Sequence, residues 1–172
     1  ACAEDINERW RYSRHLLRDY VLTLAASGLR TGEANSLTLR DVEPFVDQRG
    51  RANVRLYVRG KTGARVVVPR LAAAASIARW MELRKAGADS EYLFAMQDGH
   101  RIITLLDQFD AVLQRAGLRY GADGAKYTLY SLRHYYAVSA INAGLDVYTI
   151  ARNMGTSVQM IESYYGRSAT SE

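Results

Sequence analysis

The chain has 172 residues, 48% hydrophobic and 24% charged, which supplies enough apolar side chain for one compact domain and excludes a disordered or collagen-like polymer. Its net charge is +5, with a pI near 9.4, and only three of its 23 basic residues are lysines, so the surplus is carried by arginine forks suited to phosphate. One cysteine, Cys2, and three scattered histidines exclude a disulfide framework and a Cys/His zinc site, and no apolar run is long enough for a spanning helix.

The chain opens Ala1-Cys2-Ala3-Glu4-Asp5, without an initiator Met or a secretion signal, and is expected to be a piece of a longer protein. From Ile6 to about Ala26 the spacing of Ile6, Trp10, Leu17, Tyr20, Val21 and Leu24 predicts a helix stopped by Gly28. A second, short helix is predicted from Thr31 to Leu37. The period then changes to two: Val54, Leu56 and Val58 alternate with Arg55, Tyr57 and Arg59, the signature of a strand with one buried face. Gly60-Lys61-Thr62-Gly63 reads as a turn, Arg65 to Val68 as the returning strand, and Asp41 to Asp47 as a third strand closed by a turn at Gln48-Arg49-Gly50. The remainder reads as helix: Leu71 to Lys85, a segment around Leu105 to Leu113 stopping at Gly117, Leu129 to Ala143, Asp146 to Met154, and Ser157 to Tyr165. Asp146 suits an N-cap, and Thr156 with Gln159 suggests a T-x-x-Q capping box. The fold class expected is mainly α with a small antiparallel β-sheet, as a single domain over residues 1–172.

Four segments carry the reactive side chains. In Ser27-Gly28-Leu29-Arg30-Thr31-Gly32-Glu33, Arg30 opens a helix, where outward N–H groups favour phosphate, and Glu33 stands one turn on to hold the guanidinium. Lys61 sits at the tip of the hairpin, a place from which an ammonium can enter a groove and protonate a leaving alkoxide. In Leu129-Tyr130-Ser131-Leu132-Arg133-His134, Arg133 lies in an otherwise apolar helix, where burial without an anionic partner is expensive. In the last segment Val158, Ile161 and Tyr165 share one helical face, directing Tyr165 inward, with Tyr164 rotated away. Asp41, Glu43 and Asp47 fall along one edge strand and read as solvated carboxylates, not a metal cluster.

Taken in this order, these pieces resemble the catalytic domain of a tyrosine recombinase of the phage-integrase family. Ser-Gly-Leu-Arg30-Thr-Gly-Glu33 resembles the family's first-arginine motif. Gly60-Lys61-Thr62-Gly63-Ala64-Arg65-Val66 with Val68-Pro69 resembles its hairpin-lysine motif. Tyr130-Ser-Leu-Arg133-His134 resembles its H-x-x-R box, and Met154-Gly155-Thr156 followed by Tyr165 its Gly-His box and nucleophile. The family spaces the tyrosine nine positions after the histidine, which from Thr156 selects Tyr165. Two positions depart from the pattern: Tyr130 replaces the first box's histidine and Thr156 replaces the usual histidine or tryptophan.

The resemblance implies metal-free cleavage and rejoining of double-stranded DNA, with no cofactor. Tyr165 is the implied nucleophile, Arg30 and Arg133 the phosphate clamps aided by Tyr130 and Thr156, and Lys61 the acid. Glu33 and His134 are implied as supporting neighbours, and Arg30, Lys61, Arg65 and Arg133 as DNA contacts. It further implies a homo-tetramer on DNA, no membrane, and a cytoplasmic, nucleoid-associated setting of bacterial or phage type, with the family's N-terminal core-binding domain missing from this piece. Two other readings stand beside it. One is a DNA-binding relative that has lost catalysis through Tyr130 and Thr156; the other is a helix-turn-helix regulator built on the helices around Gly155, which leaves Arg30 and Lys61 unexplained.

Overall fold

A computed structural model describes residues 8–60, 63–84 and 90–165. The long apolar stripe at the start of the chain folds as α1 (Glu8–Ser27), and the short helix α2 (Thr31–Ser36) follows. Between them Gly28 takes a φ of 68°, a left-handed turn in which its bare Cα lies against the Tyr136 ring; a Cβ there would collide with that ring.

The alternating segments form a three-stranded antiparallel sheet in the order β1 (Val42–Val46), β2 (Ala52–Gly60), β3 (Gly63–Val67). Val54, Leu56, Val58 and Val67 are buried on one face. The other face carries Arg55, Tyr57 and Glu43, with Arg55 donating to Glu43 at 2.8 Å and lying 4.2 Å above the Phe45 ring. The acidic residues of this edge are thus individually occupied: Glu43 by Arg55 and Tyr57, Asp41 by Thr38, and Asp47 by Arg51. Among the described residues no group of three or more His, Cys, Asp or Glu side chains converges where a metal ion would sit.

Helices α3 (Leu71–Arg84), α4 (Leu106–Arg115), α5 (Ser131–Asn142), α6 (Val147–Met154) and α7 (Val158–Tyr165) complete the chain. No helix among the described residues is long and apolar enough to cross a membrane. The expected stop of α3 at Gly87 lies outside the described residues. Apolar side chains gather into two clusters. The larger joins α1, α2, the buried sheet face, α3 and α4, and centres on Trp80, which donates to the Leu93 carbonyl at 2.7 Å. The smaller joins α5, α6 and α7 through Tyr136, Ile150, Met154, Ile161 and Tyr165.

The seam between the clusters is closed by polar groups. Asn153 is buried; its amide donates to the Val68 carbonyl at 3.1 Å and the Tyr136 hydroxyl at 3.0 Å, tying α6 to the end of β3. Asp146 caps α6 as its sequence predicts, accepting from Thr149 N at 2.9 Å. The expected capping box of α7 does not form. Gly155 closes α6 in a left-handed turn, φ 62°, and Thr156 N donates back to the Ala151 carbonyl, so Thr156 belongs to the end of α6. The cap of α7 is Ser157, whose hydroxyl accepts from Met160 N at 3.2 Å.

Candidate active site

Of the predicted residues, the seam carries Arg30, Arg133, His134 and Tyr165. Arg30 stands in extended conformation just before α2, and its guanidinium donates to Glu33 at 3.0 Å and to the Gly155 carbonyl at 3.0 Å. The loop after α1 is thereby joined to the junction of α6 and α7. Arg133 projects from the first turn of α5 and donates to the Gly28 carbonyl, joining the same two halves from the other side. Tyr165, at the end of α7, meets His134 of α5, with its hydroxyl 2.5 Å from His134 Nδ1.

Tyr130, Arg133, His134, Thr156, Tyr164 and Tyr165 line a cavity of about 250 Å³ with an apolar floor from Met154 and Ile161. Helical periodicity chose correctly between the tyrosines: Tyr165 is 9% exposed and Tyr164 is 65% exposed. Tyr130 stands at the mouth, 54% exposed, edge-on to the His134 ring at 5.0 Å. Thr156, with the cap assigned to Ser157, has its side chain on the cavity wall instead of in a capping box.

Charge gives the cavity its character. Arg133 is buried, and among the described residues no carboxylate lies within ion-pair distance of it. Burial and the neighbouring Arg30 cation both pull its guanidinium down from the ordinary arginine value. Arg30 is paired with Glu33, whereas Arg133 has only the Gly28 carbonyl as its hydrogen-bond partner and is the cation in this cavity suited to an added anion. Tyr165 is shifted upward, chiefly by burial and further by Tyr130, with Arg133 opposing, so its phenol keeps its proton while the cavity is empty of substrate.

Arg30 and Arg65, but not Arg133, are held by Glu33, a buried carboxylate that accepts from Arg30 N at 2.9 Å and from both terminal nitrogens of Arg65 at 2.9 Å. Burial alone would raise the Glu33 carboxyl, but hydrogen bonds from Arg65 and Arg30 outweigh it and hold the group below the usual carboxylate range. Its stabilisation is therefore complete above about pH 4.3 and is lost as the pH falls through the lower folded-state value. Melting temperatures measured from pH 6 down to pH 3 are expected to fall more steeply for the wild type than for Glu33→Gln; parallel profiles would show that the carboxylate is not the linked group.

Over residues 3–172 the sequence matches the family model described as the phage integrase family. The chain belongs to that family. One relative of this integrase chain, y4rB of Sinorhizobium fredii, named as an integrase/recombinase, is 33% identical over 144 residues, covering 76% of this chain and 44% of y4rB. Among solved structures, XerH site-specific recombinase in a pre-cleavage complex with difH substrate superposes with a TM-score of 0.71 at 20% identity, over 93% of this chain and 44% of that one. XerA recombinase gives 0.67 at 24% identity, over 93% and 59%. A lambda integrase dimer bound to a COC′ core site gives 0.66 at 16%, over 96% and 59%. At these identities the structural likeness is one of fold, and the chain spans less than half the length of y4rB and XerH.

Lys61 lies outside the described residues. Arg65, expected among the DNA contacts, instead turns inward: besides Glu33 it donates to the Asn153 carbonyl at 3.1 Å and lies only 10% exposed. The reason is register. Arg65 pairs with Val58, so it shares the buried face of the sheet, and its guanidinium binds the carboxylate that holds Arg30. The alternation with Val67 in the sequence already carried that signal. The contact between His134 and Tyr165 is not expected from the sequence, where His134 reads as a supporting neighbour of Arg133 and not as the missing base; no local pattern reports a partner 31 residues away.

Proposed function

We propose that this chain, residues 1–172, is the catalytic domain of a site-specific recombinase that cleaves and rejoins double-stranded DNA through a 3′-phosphotyrosyl intermediate. The observation that carries the reading is the buried Arg133, with a backbone carbonyl as its hydrogen-bond partner, sharing a cavity wall with Tyr165. A phosphodiester supplies the anion for it, and guanidinium groups aimed at the phosphoryl oxygens stabilise the charge that builds up as phosphorus is attacked.

In this mechanism the Tyr165 oxygen attacks the scissile phosphorus and the bond to the 5′-oxygen breaks. Arg30 and Arg133 hold the non-bridging oxygens, and the Tyr130 and Thr156 hydroxyls donate to the same atoms. Lys61 protonates the departing 5′-oxygen, and Glu33 orients Arg30. Attack by a 5′-hydroxyl of another duplex on the phosphotyrosine completes the exchange and conserves the bond energy, so no metal or ATP is consumed. Exchange between two duplexes suits a tetramer, and a net charge of +5 suits a DNA partner. The DNA named in the XerH and lambda integrase structures supports the same partner class.

The experiment is a covalent trap. Full-length protein is offered duplexes selected by binding from a randomised pool and nicked at successive positions, in EDTA, and the adduct is digested and its peptide mapped. A phosphotyrosyl link at Tyr165 is the expected result. Duplex binding that weakens with salt, with no adduct at any nick position, would instead establish a DNA-binding relative without catalysis.

A further inference from the structure

The geometry points to His134 as the general base that takes the phenolic proton of Tyr165 during cleavage. The inference rests on the recombinase reading and assigns a role that the reading leaves open, because the family's usual histidine is Tyr130 here. The Tyr130 hydroxyl is a hydrogen-bond donor to a phosphoryl oxygen, not a base of the imidazole kind. Thr156 offers only a hydroxyl, and the Glu33 carboxylate is saturated by Arg30 and Arg65. Among the titratable groups of the cavity, His134 places a ring nitrogen, Nδ1, 2.5 Å from the Tyr165 hydroxyl, and that nitrogen accepts the phenolic proton when the imidazole carries its own on Nε2. That distance is within the reach proton transfer requires.

The protonation states agree with the geometry. Burial first, and the adjacent Arg133 cation second, hold His134 below the usual imidazole range. At neutral pH it is therefore uncharged, and with its proton on Nε2 it presents Nδ1 as an acceptor to the phenol. The groups facing it are Tyr130 and Arg133 from its own end of α5 and Tyr164 and Tyr165 from α7; none is a carboxylate that would hold the imidazole protonated in the resting state. In the step itself the Tyr165 Oη–H bond breaks, its proton passes to His134 Nδ1, and the Oη–phosphorus bond forms. The bond from phosphorus to the 5′-oxygen breaks, and that oxygen takes a proton from the Lys61 ammonium. In rejoining, each proton returns: the imidazolium reprotonates the departing phenolate as the 5′-hydroxyl attacks and yields its proton to the Lys61 amine.

The test uses the full-length protein and the nicked duplex that gives an adduct with wild type, followed in single turnover. His134→Ala is expected to slow cleavage by about 10²–10³-fold, with duplex affinity unchanged and partial rescue by added imidazole. The wild-type rate is expected to fall on the acid side as His134 becomes protonated, a limb that the variant lacks. A 5′-bridging phosphorothiolate, whose sulfur leaves without needing a proton, restores cleavage by Lys61→Ala but not by His134→Ala. His134→Gln keeps a hydrogen-bonding side chain but no base, and is expected to be as slow as alanine. Wild-type-like rates in His134→Ala, recovery in His134→Gln, or rescue of His134→Ala by the phosphorothiolate would each overturn the assignment. Failure of wild type to form any adduct would overturn the recombinase reading itself.

Discussion

Replacing Tyr165 with phenylalanine is expected to abolish the covalent adduct while leaving the fold and duplex binding intact. Phenylalanine keeps the ring packed against Ile161 and the His134 ring, whose centroid lies 5.6 Å from that of Tyr165. It removes only the hydroxyl and its hydrogen bond, a net loss of about 1 kcal/mol. Tyr164 also lines the cavity but is 65% exposed, and among the described residues no hydrogen bond like that between Tyr165 and His134 holds it, so it is not expected to take over as the proposed nucleophile. Adduct yield on the nicked duplex, beside a melting curve for each protein, checks this. Tyr164→Phe should retain the adduct, and loss of adduct in Tyr164→Phe alone would move the nucleophile by one residue.

The second large effect is at Arg133. Arg133→Met keeps most of the side-chain volume and deletes the fork, and is expected to slow cleavage by about 10³-fold or more, as loss of charge-stabilising donors at a phosphoryl centre does. Stability should move the other way. The arginine is buried beside another cation, with a backbone carbonyl as its hydrogen-bond partner, so a well-packed apolar residue is expected to hold or raise the melting temperature. Arg133→Lys should not recover the rate, because a point charge does not reproduce two parallel hydrogen bonds to phosphoryl oxygens. Paired melting and single-turnover measurements decide it: activity and stability falling together in Arg133→Met would mean that the residue serves the fold.

Much of the architecture was legible because the signals that specify it are local. Period 3.6 and period 2 separate the helices from the sheet, and helix ends follow glycines such as Gly28 and Gly155, so boundaries fall within about two residues of expectation. The inward face of α7 was readable from Val158, Ile161 and Tyr165 alone. What the sequence hid is non-local. Arg30 meets the Gly155 carbonyl across 125 residues and Arg133 meets Gly28 across 105, and no pattern within a helix or strand reports either. Thr156 was misassigned as a cap because the turn ending α6 consumes its N–H, which delays α7 by one residue. Arg65 enters the expected DNA contacts through the resemblance of its hairpin motif, whereas alternation places it beside Val67, on the face from which it reaches Glu33.

Arg133 and Arg30 each donate to a main-chain oxygen, at Gly28 and Gly155, two glycines in left-handed turns on either side of the seam. A carbonyl cannot be deleted by substitution, so drift in neighbouring side chains leaves these anchors in place over evolutionary time. The vulnerability is moved onto backbone shape instead. A side chain added at Gly28 would meet the Tyr136 ring and one at Gly155 the Arg65 guanidinium, so substitution at either turn is expected to shift the arginine anchored there without removing any side chain of the proposed site.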